Sequence, residues 1–161
     1  MVQAYVDASY GVHNSDGKSQ TGAVIGIGDA VSIVSKSSKQ KVVTKSSTEA
    51  ELVAVTDVVG DILDLKFFIE ELGYQVSGNE RTATLFQDNQ STMRLIESGP
   101  PAGSRSKHVR IRTFWLREQV QEGNLKVIFK PTDDMIADGL TKPLQGSKYE
   151  SFADQILGGR E

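Results

Sequence analysis

Three β-type runs precede the first helical pattern in this chain, and that order limits the folds open to it. Val2 to Ala8, Gly22 to Ile27 and Ala30 to Ser35 are rich in Val, Ile and Ala and are separated by Gly, Asn and Asp turn signals. They read as an antiparallel meander. Val42 to Lys45 either extends the third strand or leads into the helix that follows. That helix has Ser46, Ser47 or Thr48 as its cap and apolar residues Leu52, Val55, Val59, Ile62, Ile69 and Leu72 at three- and four-residue intervals, with a stop at Gly73. A strand over Thr82 to Gln87 then runs into Asp88-Asn89, which caps a helix from about Gln90 to Glu97 that Gly99-Pro100-Pro101 ends. A further helix spans Lys107 to Gln121 and closes at Gly123. Asn124 to Lys130 alternates as a strand, and Thr132 caps a last helical segment beginning near Asp133. Strands first, then alternating helices and strands, give an α/β fold with a mixed sheet covered by helices.

Composition narrows the chemistry. At 161 residues the chain suits one domain, and its lack of Cys excludes disulfides, thiolate metal sites and thiol nucleophiles, so any metal must sit on oxygen or histidine. No stretch approaches the roughly 18 apolar residues of a membrane span, and the first residues do not form a leader. The net charge of −3 argues mildly against a nucleic-acid partner. Local charge argues the other way. Lys36, Lys39, Lys41 and Lys45 form an acid-free stretch, and Arg94, Arg105, Lys107, Arg110, Arg112 and Arg117 are opposed only by Glu97. Both are candidate phosphate tracks, although any single one of these side chains reads better as solvated surface.

Metal-dependent phosphodiester chemistry needs carboxylates that converge, because Mg²⁺ prefers oxygen ligands. Asp7 sits late in an apolar strand, where a charge calls for a partner or a metal; pattern alone reads it equally as an edge acid facing solvent. Helical phase separates the acids of the next motif. At about 100° per residue, Glu51 lies within roughly 40° of Val55, Val58 and Ile62, and Glu49 about 200° away. Glu51 faces the sheet, whereas Glu49 faces water at a capping-box position. Asp88 lies at a strand's carboxyl end, where open α/β sheets place ligands, and it doubles as a helix cap. Asp133 and Asp134 occupy the first turn of the last helical segment. Asp138 is the better inward candidate there, although Asp134 shares its face at i, i+4.

At these residues the chain resembles the ribonuclease H domain that follows the reverse transcriptase in copia-type LTR retrotransposon polyproteins. The matching segments are Tyr5-Val6-Asp7-Ala8-Ser9-Tyr10, Lys45-Ser46-Ser47-Thr48-Glu49-Ala50-Glu51, Gln87-Asp88-Asn89-Gln90-Ser91, Ser106-Lys107-His108-Val109 with Arg117-Glu118, and Ile136-Ala137-Asp138 followed by Leu140-Thr141-Lys142-Pro143-Leu144. Each is weak alone; together, in family order, they are specific. The resemblance implies a ribonuclease H-like fold, a five-stranded mixed sheet of three antiparallel and then two parallel strands flanked by helices. It implies a catalytic domain over 1–145 and a C-terminal helical or loose tail over 146–161, in which Phe152, Ile156 and Leu157 offer a weak apolar stripe. Asp7, Glu51, Asp88 and Asp138 take the places of the family's catalytic, metal-binding acids.

The activity implied is endonucleolytic hydrolysis of the RNA strand of RNA/DNA hybrids during reverse transcription, with two Mg²⁺ ions, replaceable by Mn²⁺, and 5′-phosphate products. The partners implied are the hybrid and the reverse transcriptase domain of the same polyprotein, in the cytoplasm within retrotransposon particles, with no membrane. Met1 would then open a segment cut from a longer chain. Ser46, Ser47, Thr48, Asn89, Gln90, Lys107 and His108 are substrate-binding candidates: hydroxyls and helix-start N–H groups suit a phosphate, and amides suit a hybrid's minor groove. Capping is the competing role for the first three, and a helix-start surface position the competing role for His108. His13 reads as a loop surface residue and Trp115 as core. Cellular relatives carry a histidine loop before the last acid; Lys130-Pro131-Thr132 reaches Asp133 without one, which bears on turnover and not on the reaction. The competing function is a non-catalytic ribonuclease H-like module that binds or tethers nucleic acid within the polyprotein.

Overall fold

The computed structural model describes residues 1–28, 32–73, 81–100 and 107–158. Ala30, Val31, Pro101, Arg105 and Ser106, which figure in the strand, helix-stop, basic-track and family-motif expectations, lie outside them. The strands are β1 (Val2–His13), β2 (Lys18–Ile27), β3 (Ser32–Lys39), β4 (Ala83–Gln87) and β5 (Leu125–Phe129); the helices are α1 (Ser47–Glu71), α2 (Gln90–Ser98), α3 (Lys107–Gln121) and α4 (Ser147–Leu157). The sheet is five-stranded in the order β3-β2-β1-β4-β5. β1, β2 and β3 pair antiparallel, and β1/β4 and β4/β5 pair parallel. The mixed sheet expected from the order of elements is the one observed.

Strand alternation decides which face is covered. Val2, Ala4 and Val6 of β1 point to one side and pack with Ala83 and Leu85 of β4, Leu125 of β5 and the inward stripe of α1, which includes Leu52, Val55, Val59 and Ile62. Each such Val, Leu or Ile side chain contributes roughly 1.5–3 kcal/mol by leaving water. Ile96 of α2 and Leu116 of α3 close the same core, and Trp115 and Val109 pack against it from partly buried positions. On the opposite face Tyr5 stacks on Phe86 with ring centroids 4.7 Å apart, and the Lys130 ammonium lies 4.9 and 4.8 Å from the two rings.

Local chemistry sets the element ends. The Ser46 hydroxyl accepts the Glu49 N–H at 3.2 Å, and the Glu49 carboxylate accepts the Lys45 N–H at 2.7 Å, so α1 starts on a reciprocal cap. Asn89 caps α2 by accepting from the Thr92 N–H at 3.0 Å, which leaves the Asp88 side chain for other use. The segment after β5 departs from expectation. In place of a helix capped by Thr132 there are two short 3₁₀ turns, Thr132–Asp134 and Ile136–Leu140, without side-chain caps. The reason is that the Thr132 hydroxyl donates to Asp88 Oδ2 at 2.7 Å. Residues 42–45 join neither β3 nor α1, and Thr44 is buried there, its hydroxyl 3.1 Å from that of Ser19.

Candidate active site

Two strand lengths create the opening for the site. β4 pairs with β1 as far as Tyr5↔Phe86 and ends at Gln87, whereas β1 runs on to His13 along β2. Beyond that point the Ala8 N–H faces no β4 residue, and Glu51, reaching from the first turns of α1, accepts it through Oε1 at 3.1 Å. Asp7 precedes Ala8 on β1, and Asp88 follows the last residue of β4. Their carboxylates and that of Glu51 each offer an oxygen within 4.8 Å of the others. Three elements far apart in sequence therefore deliver three acids to one crevice at the carboxyl end of the parallel strands.

The electrostatics of that crevice are those of an uncompensated cluster. Asp7 and Glu51 are each only 5% exposed. Burial, followed by the neighbouring Asp7 and Asp88 charges, pushes the Glu51 carboxyl up to about 9, against the lowering effect of the hydrogen bonds from Gln87 and Ala8. Burial also raises Asp7, assisted by Asp138 and Asp88 and opposed by the Thr141 hydroxyl and Lys142. An all-oxygen donor set, partly buried and mutually repelling, fits a hard divalent cation, because such an ion supplies the missing positive charge and favours oxygen.

The fourth expected acid stands apart. Asp138 does not share the three-carboxylate group; its side chain is 27% exposed and pairs with the Lys142 ammonium one turn on. That hydrogen bond is the main reason Lys142 holds its proton more firmly than an ordinary lysine. Asp134, the alternative left open by periodicity, is exposed. The 3₁₀ turn carrying Asp138 is tied to Asp7 through Thr141, whose buried hydroxyl donates to Asp7 Oδ2 at 2.7 Å. It comes this close because Gly22, the β2 partner of Asp7, has no side chain: a Cβ there would lie 2.5 Å from the Ala137 carbonyl oxygen. An open groove of about 890 Å³ runs from Asp138 and Lys142 past Tyr5 and Lys130 to Phe152 and Gln155 of α4. Phe152 docks against Gly139, where an added Cβ would meet the ring at 2.4 Å.

The remaining candidates are spread around this crevice. Ser46 is engaged in its cap, Ser47 is exposed, and the Thr48 carbonyl accepts from the Thr92 hydroxyl at 3.2 Å, joining α1 to α2. Asn89 is half-buried as the α2 cap, and Gln90 is exposed beside it. Lys107 and His108 are exposed at the start of α3. His13 lies 2.9 Å from the Gln20 side-chain oxygen, away from the acids. Lys36 and Lys39 of the first basic stretch pair with Asp61 and Asp16. Sequence reasoning missed Gly22, Gln87, Thr132, Thr141 and Lys142. Of these, Thr141 and Lys142 follow Asp138 at i+3 and i+4, and Gln87 shares strand parity with Ala83 and Leu85, so their positions carried a signal.

Comparison with known proteins places this geometry. No protein-family model matches the chain. It is 34% identical over 155 residues, 96% of its length, to the Retrovirus-related Pol polyprotein from transposon RE1 of Arabidopsis thaliana. It is equally 34% identical over 98% of its length to the one from transposon TNT 1-94 of Nicotiana tabacum, and over 96% to the Transposon Ty1-JR1 Gag-Pol polyprotein of Saccharomyces cerevisiae. Its homologues are thus Pol polyproteins of copia-type retrotransposons, to one segment of which the chain corresponds. It spans 10%, 11% and 8% of those three relatives, respectively. The fold of this Pol segment matches LC11-RNase H1, isolated from compost by a metagenomic approach, with a TM-score of 0.61 at 17% identity over 86% of this chain and 91% of that one. The same enzyme in complex with RNA/DNA hybrid matches with a TM-score of 0.61 at 15% identity, over 87% and 93%. The Pol segment therefore has a ribonuclease H fold, and among its described residues no helix is long and apolar enough to cross a membrane.

Proposed function

We propose that this Pol segment is a divalent-cation-dependent endonuclease that hydrolyses the RNA strand of RNA/DNA hybrids during reverse transcription. The observation that carries the reading is the convergence of Asp7, Glu51 and Asp88, from β1, α1 and the end of β4, to within 4.8 Å. Asp7, the most central of the acids, would share two ions, Mg²⁺ or Mn²⁺, with Glu51 and Asp88, and Asp138 would complete the set. Bound cations of this kind lower the pKa of water and offset charge on a leaving oxygen.

The chain's own residues then hold, orient and admit. The Thr141 and Thr132 hydroxyls fix Asp7 and Asp88, and the Ala8 N–H fixes Glu51. Ser46, Ser47 and Thr48, at the positive end of the α1 dipole, are placed to take a backbone phosphate. Asn89 and Gln90 lie beside Asp88, where a minor groove would present 2′-hydroxyls. Lys107 and His108 extend the phosphate track onto α3. Water adds to phosphorus as the P–O3′ bond breaks, leaving 5′-phosphate and 3′-hydroxyl ends. That the hybrid-bound LC11-RNase H1 shares the fold supports this substrate, and the Pol polyproteins it matches support partner domains in the same polyprotein; a reverse transcriptase domain would be the partner, and cytoplasmic retrotransposon particles the setting. Residues 1–145 would form the catalytic unit and 146–161 its C-terminal appendage.

The test is substrate choice. Given Mn²⁺ and labelled hybrid, duplex DNA or single-stranded RNA, the chain should cut only the RNA of the hybrid and leave 5′-phosphates. Equal cutting of duplex DNA, or binding without cutting, contradicts the proposal, and the latter outcome selects the non-catalytic tethering module.

A further inference from the structure

Gln87 occupies a position that strand alternation assigns to the core. It follows Ala83 and Leu85 on the covered face of β4 and is fully buried. A buried carboxamide is costly unless its polar atoms are satisfied, and here they are satisfied by the site. Gln87 Nε2 donates to Glu51 Oε2 at 3.2 Å, and Gln87 Oε1 accepts the N–H groups of Asp88 at 2.8 Å and Asn89 at 3.1 Å. The two backbone donors demand the amide oxygen, so the NH₂ group is left facing Glu51 and the amide has one orientation. Its backbone carbonyl accepts the Lys130 N–H at 3.0 Å, which anchors the same residue to the end of β5.

We propose that Gln87 is a positioning residue for the cation site: its buried amide ties the Glu51 carboxyl of α1 to the β4–α2 turn that presents Asp88, and so fixes the spacing of two ligands that share no element. Glu51 is then held from two sides, by the Ala8 N–H on β1 and by Gln87 on β4, and neither contact uses a group that touches substrate. Outer-shell partners of this kind typically change metal affinity or activity about 10–100-fold when removed. A residue of the same length without hydrogen bonds, Met, would fill the space and release both ligands. Asn, one methylene shorter, would keep the chemistry but not the reach.

The inference rests on the cation-site reading above, and one experiment separates the two. Mn²⁺ binding to the 161-residue chain is measured by titration calorimetry for wild type, Asp7→Asn, Gln87→Met and Gln87→Asn, with thermal unfolding in EDTA alongside. The expected result is a loss of binding in Asp7→Asn and affinity about tenfold weaker or worse in both Gln87 variants, with cooperative unfolding kept in EDTA. On hybrid, kcat should fall in the Gln87 variants while KM holds. Gln87 variants that bind Mn²⁺ like wild type, while Asp7→Asn does not, overturn the inference alone; a wild-type chain that binds no Mn²⁺ overturns the cation site and the inference together. If neither Gln87 variant folds, the wild-type chain decides: the Gln87 side-chain NH₂ resonances should be exchange-protected and should shift on saturation with Mg²⁺, and resonances that do not move overturn the assignment.

Discussion

The two halves of the acidic site are built differently. Asp7, Glu51 and Asp88 stand on a central strand, the first turns of a 25-residue helix and the end of a buried strand, and each is held by a hydrogen bond from a neighbouring element. Asp138 rides on a five-residue 3₁₀ turn, is partly exposed and is paired with a lysine. The first half is fixed by the same packing that stabilises the fold. The second is attached at the edge of the core, by the close approach that Gly22 permits, by the Thr141 hydroxyl on Asp7 and by the Ser37 hydroxyl on the Leu140 carbonyl. Crowding three carboxyls, two of them buried, raises the affinity of Glu51 and Asp7 for protons where the cation would sit, whereas Asp138 has the Lys142 ammonium as its partner.

The largest expected effect breaks the fixed half. Asp7→Asn should lower cation-dependent hybrid cleavage by about 10²–10³-fold or more, the scale of losing a preorganised electrostatic group. Asp138→Asn should leave most Mn²⁺ affinity in place, and calorimetry on both variants checks the contrast.

The next effect is pH dependence without metal. Glu51 and Asp7 bind protons more tightly folded than unfolded. Their contribution is thus fully present below the ordinary carboxylate range and is lost as pH rises, for Glu51 through about 9. Urea unfolding in EDTA should show stability falling from about pH 5 to 9, by up to about 1.4 kcal/mol per pH unit for each such group. Glu51→Gln should flatten that slope and raise stability at pH 8, while Asp138→Asn should reduce it only slightly, through the part its charge plays in raising Asp7.

Gly22→Ala sharpens the comparison from the other half. Its Cβ would strike the Ala137 carbonyl and Thr141, and crowding of this kind costs about 1–3 kcal/mol. A lower melting temperature with Mn²⁺ binding retained would show that the turn carrying Asp138 has been displaced while the three-carboxylate group stays in place. The smallest effect is Lys142→Met, which removes a largely exposed ion pair and should change stability by less than about 1 kcal/mol in urea unfolding.

Much of this was legible in the chain. Alternation in Val2 to Ala8 and the spacing from Leu52 to Ile62 gave β1 and α1, and the phase of α1 alone turned Glu51 inward and Glu49 outward. The lengths of β1, β2 and β3 were not legible, because β1 runs past the core with Tyr10 and Val12 exposed, β2 begins with the polar Lys18-Ser19-Gln20-Thr21, and β3 carries Ser and Lys in place of apolar residues. The segment after β5 was misread as a capped helix because Thr132 matches a cap locally; its hydroxyl is instead taken by Asp88, a partner 44 residues away. Gly22 and Gln87 escaped for the same reason. Their roles depend on what packs opposite them, the 3₁₀ turn and Glu51: periodicity turns Gln87 inward but does not name its partner.

The central claim is that the acids on β1, α1 and β4 form a working cation site on a ribonuclease H fold. The most direct measurement is cleavage of a labelled RNA/DNA hybrid by the wild-type chain and Asp7→Asn, each in Mn²⁺ and in EDTA. The account predicts RNA fragments for the wild-type chain in Mn²⁺ alone. Intact hybrid after prolonged incubation of the wild-type chain with Mn²⁺, or cutting by Asp7→Asn at the wild-type rate, would contradict it.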